Sequence, residues 1–214
     1  MKRLGVKRII APTAVGSLKN EIKPGDFIIC DQLINNTRRA DTYFNGPPTE
    51  LRSVRRAGPP ASAMPKTFGR VAHISLAQPY CEELRKIAII QSDKLGISSH
   101  HKGTALIIEG PRFSTIAESQ YFSQFADVIN MTQYPEVALA RELGMCYLNI
   151  SIATDYDAGS AGRGDIRPVT ALEVATIFKQ NNEKVKSLIL NIIEKIPTNP
   201  QCTCSESLKT AFIN

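Results

Sequence analysis

The chain has 214 residues, 43% of them hydrophobic, with 26 basic against 20 acidic side chains and a formal charge of +6. That length suits one full-sized core of ~100–200 residues or slightly more, and with a mean hydropathy of −0.14 the chain is too apolar for disorder throughout. No run approaches the ~18 uninterrupted apolar residues of a membrane span, and MKRLGVKRIIAPTAVG lacks the order of a signal peptide, so a soluble, cytoplasmic protein is expected.

In chain order, Lys7–Ala11, Asp26–Cys30, Thr104–Glu109, Asp127–Met131 and Cys146–Ala153 read as strands. Most are continuously apolar, the pattern of strands covered on both faces. Helical spacing runs over Cys81–Leu95 with Gly96 as its stop, over Thr115–Phe125, and over Pro135–Leu143 with Gly144 just beyond. Thr170–Ile196 reads as one long helix opened by the capping pattern Thr170-Ala-Leu-Glu173. Strands alternating with helices predict a single α/β domain over residues 1–196, its sheet mixed but mostly parallel and covered by helices on both faces. Residues 197–214 read as a polar C-terminal tail carrying a Cys-x-Cys pair.

Residues 47–70 hold Pro47, Pro48, Pro59, Pro60 and Pro65 together with Arg52, Arg55, Arg56, Lys66 and Arg70, against Glu50 alone. Prolines so placed mark a loop or insertion. Its local charge of +4 is two-thirds of the surplus, so no basic face spans the fold as nucleic-acid binding would require. A solvated insertion is the plain reading of this segment and an anionic contact the alternative.

Five cysteines in a chain of this size do not suggest a disulfide framework. Cys30 and Cys146 sit in apolar runs as small buried hydrophobes, and Cys81 opens a helix. Cys202-Thr-Cys204 is too short to make a zinc site alone, which needs about four ligands. A redox-active pair or a bond between the two are the other readings.

Four segments place polar groups at strand ends, where open α/β sheets bind ligands. Thr13-Ala-Val-Gly-Ser17 offers N–H groups and a hydroxyl to an anion, or is an ordinary turn. Asn130-Met-Thr132 offers a second hydroxyl and a soft apolar surface, or is a capped connection. Thr154-Asp-Tyr-Asp157 sends two carboxylates along one face, where each raises the other's pKa if both enter a pocket. A solvated capping pair is the alternative there. Glu109-Gly-Pro-Arg-Phe-Ser114 is a turn signal with Arg112 available to an anion and Phe113 to a flat ligand.

At these segments the sequence resembles the trimeric-type nucleoside phosphorylases, and within them the 5′-methylthioadenosine phosphorylases. The stretches that carry it are TAVGSLKNEIKPGDFIICDQLI, HISLAQPYC, KGTALIIEGPRFSTIAES, ADVINMTQYPEVALARELGMCY and IATDYD, in the family's order. The resemblance implies phosphorolysis of methylthioadenosine to adenine and 5-methylthioribose 1-phosphate, with phosphate as co-substrate and neither metal nor organic cofactor. It implies that Asp155 protonates N7 and Asp157 accepts from the 6-amino group, both as catalytic groups. It further implies that Phe113 and Met131 sandwich base and sugar, that Ser114 lies near the base, and that Thr13, Ala14 and Thr132 hold phosphate. Val174 would wall the methylthio pocket and His73 would be lent by a neighbouring subunit, which makes a homotrimer or a dimer of trimers the expected assembly. The expected partners are the nucleoside and phosphate, not nucleic acid or a membrane.

Four departures accompany the match. The family's N-terminal strand, Gly-rich phosphate loop and Arg-His segment have no counterpart in these residues, which suggests a truncated sequence or a non-catalytic remnant. Residues 47–70 are an addition. Phe125-Ala126 replaces a usual glycine, and Ala158–Ile166 is Gly-rich and lacks an aromatic residue. A broader purine nucleoside phosphorylase is the remaining enzymatic alternative.

Overall fold

The structure, a computed structural model, describes residues 1–44, 71–158 and 169–212. The expectations for the 47–70 insertion, and for all but the first residue of the 158–166 loop, therefore lie outside the described residues.

Two ten-residue strands form the centre of the sheet. β1 (Arg8–Ser17) runs parallel to β7 (Cys146–Asp155), in register from Arg8 opposite Cys146 to Val15 opposite Ala153. Around them lie β2 (Phe27–Ile28), β3 (Gln32–Asn36), β4 (Ser99–His100), β5 (Thr104–Ile108) and β6 (Val128–Asn130). The order is β3-β5-β6-β1-β7-β2-β4. Only the β1–β6 and β7–β2 pairs are antiparallel, so the sheet is mixed and mostly parallel, as expected.

β7 shows why its sequence does not alternate: every residue but the last is buried. Tyr147 and Ala153 pack on one face with Val137 and Ala138 of α3 (Gln133–Glu142). Leu148, Ile150 and Ile152 pack on the other with Leu84 and Ala88 of α1 (Glu82–Lys94) and Val185, Leu188 and Ile192 of α5 (Asn182–Lys195). Period-two side chains thus meet helices on both sides.

The structure corrects several boundaries. The strand expected to end at Ala11 continues to Ser17, so Thr13–Ser17 is not a turn. Its residues have partners on β7 as far as Gly16 opposite Asp155, past a register shift at Val15/Gly16, and β6 pairs with Gly16 and Ser17 on the other side of the strand. The helix expected over Thr170–Ile196 is two, α4 (Ala171–Gln180) and α5, parted at Asn181. There the backbone takes φ −96°, ψ 0°, and the buried amide donates to the Ile177 carbonyl at 2.9 Å. Val174, Ile177, Phe178, Val185, Leu188 and Ile192 stay in step across the break, so periodicity alone reads one helix. The Thr170–Glu173 capping box is present, and a second, Thr115–Glu118, opens α2 (Ile116–Phe122), which ends short of Phe125. β3 and β4 escaped the strand reading because they are short, polar edge elements.

Candidate active site

The ends of β1, β5, β6 and β7 and the connections after them enclose a cavity of about 240 Å³. Ala14, Gly16, Asn130, Met131 and Thr132 line it from β1 and β6, and Thr154, Asp155 and Asp157 from β7 and its turn. Phe113 and Ile108 close the β5 side and Val174 the α4 side.

The two aspartates enter this cavity by construction. Asp155 is the last residue of β7, and Asp157 lies in the turn that follows. Burial pushes the Asp155 carboxyl up to about 6; the Thr154 hydroxyl opposes the rise, while Asp157 and Glu173 add to it. Thr154 Oγ1 lies 2.7 Å from Asp155 Oδ2 and 3.2 Å from the Val15 carbonyl. A hydroxyl has one proton. When Thr154 gives it to the carbonyl, the shorter contact calls for a proton on Asp155. Asp157 is 2% exposed, and burial raises its carboxyl against the opposing effect of the Ser119 and Ser114 hydroxyls. Its Oδ2 is buried without a well-formed hydrogen bond among the described residues. Two neighbouring carboxyls in a dry wall thus favour the neutral form of at least one.

Two glycines make the close approach possible. A Cβ on Gly16 would stand 3.0 Å from Asp155 Oδ1 and from Ile129 Cγ2, and 3.3 Å from Asp157 Cα. Gly110 has φ +69°, and a Cβ there would fall 2.6 Å from Met131 Sδ. The sulfur therefore sits against backbone.

Asn130 organises the β6 end. Its Nδ2 donates to the Ala14 carbonyl at 2.9 Å, and its Oδ1 accepts from the N–H groups of Thr132 at 2.7 Å and Gln133 at 2.8 Å. That leaves the exposed Thr132 facing the cavity. Arg39 fastens the same region from outside. Its guanidinium donates to the carbonyls of Glu109 (2.6 Å), Tyr134 (3.0 Å) and Met131, tying the Phe113 connection to the Met131–Thr132 connection.

Of the residues singled out from sequence, Ala14, Phe113, Met131, Thr132, Asp155, Asp157 and Val174 line the cavity. Three do not. Thr13 is one strand position away, its hydroxyl accepting from Asn149 Nδ2 at 3.0 Å beside Ser151. Ser114 lies behind Asp157, next to its carboxyl. His73 is exposed on a segment whose N–H donates to the Ala211 carbonyl. Arg112, read as available to an anion, instead makes two 2.8 Å bonds to Glu118 and holds that carboxyl down at about 2. Sequence reasoning named the segments that hold Gly16, Asn130 and Thr154 without giving these three a role, and it missed Ser119 and Arg39. A glycine inside an apolar strand was the one available signal among them.

The phosphorylase superfamily model matches residues 1–194. An S-methyl-5′-thioadenosine phosphorylase of Pyrococcus abyssi is 50% identical over 211 residues, 98% of this chain and 72% of that protein. A probable 6-oxopurine nucleoside phosphorylase of Dictyoglomus turgidum is 42% identical over 210 residues, 98% of this chain and 71% of that protein. The solved structure of methylthioadenosine phosphorylase from Schistosoma mansoni in complex with adenine is similar with a TM-score of 0.79 at 29% identity, over 97% of this chain and 72% of that one.

Proposed function

The chain belongs to the phosphorylase superfamily, and on that footing we propose that it cleaves 5′-methylthioadenosine with inorganic phosphate, giving adenine and 5-methylthioribose 1-phosphate. The observation that carries the reading is the convergence of Asp155 and Asp157 with Phe113, Met131 and Thr132 on one cavity.

Cleavage of the bond between C1′ and N9 leaves positive charge on the sugar and the bond's electron pair on the purine. Phosphate oxygen forms the new bond to C1′. Thr132 donates its hydroxyl to that phosphate, alongside the Ala14 strand end, and Thr13 supports the strand from the next position. Met131 presents a polarizable, apolar surface to the sugar, and Phe113 stacks on the base. Asp155, protonated through burial, gives its proton to N7, so adenine departs neutral; solvent then returns the proton. Asp157 accepts from the 6-amino group, with the Ser114 and Ser119 hydroxyls beside its carboxyl. Val174 forms an apolar wall suited to the methylthio group.

The same reading makes the enzyme a pentosyltransferase acting in the cytoplasm as a homotrimer or dimer of trimers. The exposed His73, outside its own cavity, is available to a neighbour's site. No organic cofactor or metal takes part in the reaction. Among the described residues, no helix is long and apolar enough to cross a membrane.

A second reading, a broader purine nucleoside phosphorylase, is favoured by the 42% identity to the 6-oxopurine relative. An Asp157 carboxylate accepting at the 6-position argues for adenine, since a 6-oxo group needs a donor at that place. Measuring base release from methylthioadenosine, adenosine and inosine with and without phosphate tests both. Phosphate-dependent adenine release, fastest from methylthioadenosine, is expected; no phosphate dependence refutes both readings, and inosine as the best substrate refutes the first.

A further inference from the structure

Behind Ala14 and Thr132, five polar side chains from separate parts of the sequence join in one hydrogen-bonded chain. Gln133, Asn149 and Ser151 are fully buried, Tyr80 is 3% exposed and Thr13 is half-buried. They come from β1, β7, the first residue of α3 and the segment before α1.

The bonds run one way, and a backbone carbonyl sets the direction. Asn149 Nδ2 donates to the Ala11 carbonyl at 3.1 Å and to Thr13 Oγ1 at 3.0 Å. Turning that amide over would set oxygen against the carbonyl, so Asn149 Oδ1 has to face Ser151. Ser151 therefore gives its single proton to Asn149 Oδ1, at 2.7 Å. Gln133 Nε2, 3.2 Å from Ser151 Oγ, must then be the donor in that contact. Gln133 Oε1 is left to accept from the Tyr80 hydroxyl. At 3.5 Å, Cys30 Sγ and Thr13 Oγ1 complete the surroundings of Ser151. Gln133 is thus the link that accepts at one end and donates at the other. A carboxylate cannot donate there, and an apolar side chain can do neither.

Gln133 is also the neighbour of Thr132. Its backbone N–H and that of Thr132 share Asn130 Oδ1, at 2.8 and 2.7 Å. With the Gln133 side chain held inward, Thr132 is turned out to the cavity. The far end of the chain, Thr13, precedes Ala14, which lines the cavity from β1. One set of buried bonds therefore couples the two segments that face phosphate in the proposed reaction.

We propose that Gln133 is a positioning residue for phosphate: its buried amide, joined through Ser151 and Asn149 to β1, holds the Thr132 hydroxyl in a fixed place opposite the Ala14 strand end. The role rests on the phosphorolysis reading, in which Thr132 donates to phosphate. Gln133 itself does not line the cavity. Holding a donor to within about 0.5 Å is what a side chain fixed by such supporting bonds provides.

Two substitutions break the chain at different links, neither of them in the cavity lining. Gln133→Met keeps the length and removes both side-chain bonds. Ser151→Ala removes a hydroxyl and little volume, and it carries the test should the first variant misfold. In the full chain, steady-state kinetics with methylthioadenosine should show KM for phosphate raised about three- to tenfold in each. KM for the nucleoside should stay within about twofold of wild type. Phosphate titrated alone into each protein by calorimetry should show the same loss of affinity. Combining either change with Thr132→Val should raise KM for phosphate little further than Thr132→Val alone, because both act through one hydroxyl. A role confined to stability lowers the active fraction, hence kcat, and leaves both KM values unchanged. That result, or effects that add to those of Thr132→Val, overturns the proposal. Wild type that binds phosphate without cleaving the nucleoside overturns the reaction proposed above, while the calorimetric comparison still decides the role of Gln133. Wild type that binds no phosphate overturns both.

Discussion

Replacing Asp155 with Asn separates the cost of burying this carboxylate from everything else in the site. Burial lifts its pKa from 3.8 to about 6. At about 1.4 kcal/mol per unit, the folded protein resists the charged form by about 3 kcal/mol. Because the folded pKa lies above the unfolded one, the folded state binds the extra proton between about pH 4 and pH 6. Wild-type stability therefore falls as pH rises through that window and levels off above it. The amide carries no charge, so the variant lacks this slope. It should match wild type near pH 4 and exceed it by about 3 kcal/mol at pH 8, with about 1.4 kcal/mol of the change falling between pH 5 and pH 8. Asp157, also raised by burial, shares the titration, so the difference curve belongs to the pair. Urea unfolding of both proteins at several pH values measures the difference directly, since groups common to both cancel. Parallel stability curves would refute a buried, proton-binding Asp155.

Gly16→Ala puts a methyl 3.0 Å from Asp155 Oδ1 and Ile129; urea melts should show a loss of about 1–3 kcal/mol, with a tenfold or larger drop in kcat/KM expected on the order of that strain reaching the acid. Thr132→Val removes the cavity hydroxyl, and steady-state kinetics should show KM for phosphate raised roughly tenfold with KM for the nucleoside nearly unchanged. Arg39→Met frees the carbonyls of Glu109, Met131 and Tyr134, so denaturation should report about 3 kcal/mol less stability and kinetics a lower kcat/KM. Thr170→Ala deletes the cap of α4 and should lower stability by about 1 kcal/mol.

What the sequence revealed follows from which interactions are local. Continuous apolar runs made β5, β6 and β7 legible because strands covered on both faces need no alternation, and Gly96 and Gly144 located helix ends through their positive φ. The paired aspartates were readable because they leave a buried strand two residues apart. β1 was cut short because Thr13, Gly16 and Ser17 look like turn residues until β7 and β6 offer them partners. Arg39, Asn130 and Thr154 act through contacts spanning dozens of residues to more than a hundred, which no local pattern encodes. The same holds for the cysteines: the Cys202–Cys204 pair was visible, but Cys81 and Cys146 join it only after folding.

The most direct test of the account is the ratio of kcat/KM for methylthioadenosine to that for inosine, measured in wild type and in Asp155→Asn with saturating phosphate. An acid that serves an adenine leaving group predicts a ratio well above one that falls on the order of 10²-fold or more in the variant, because the amide suits a 6-oxopurine instead. A ratio that survives the substitution unchanged would contradict the assignment of Asp155 and, with it, the chemistry proposed for the cavity.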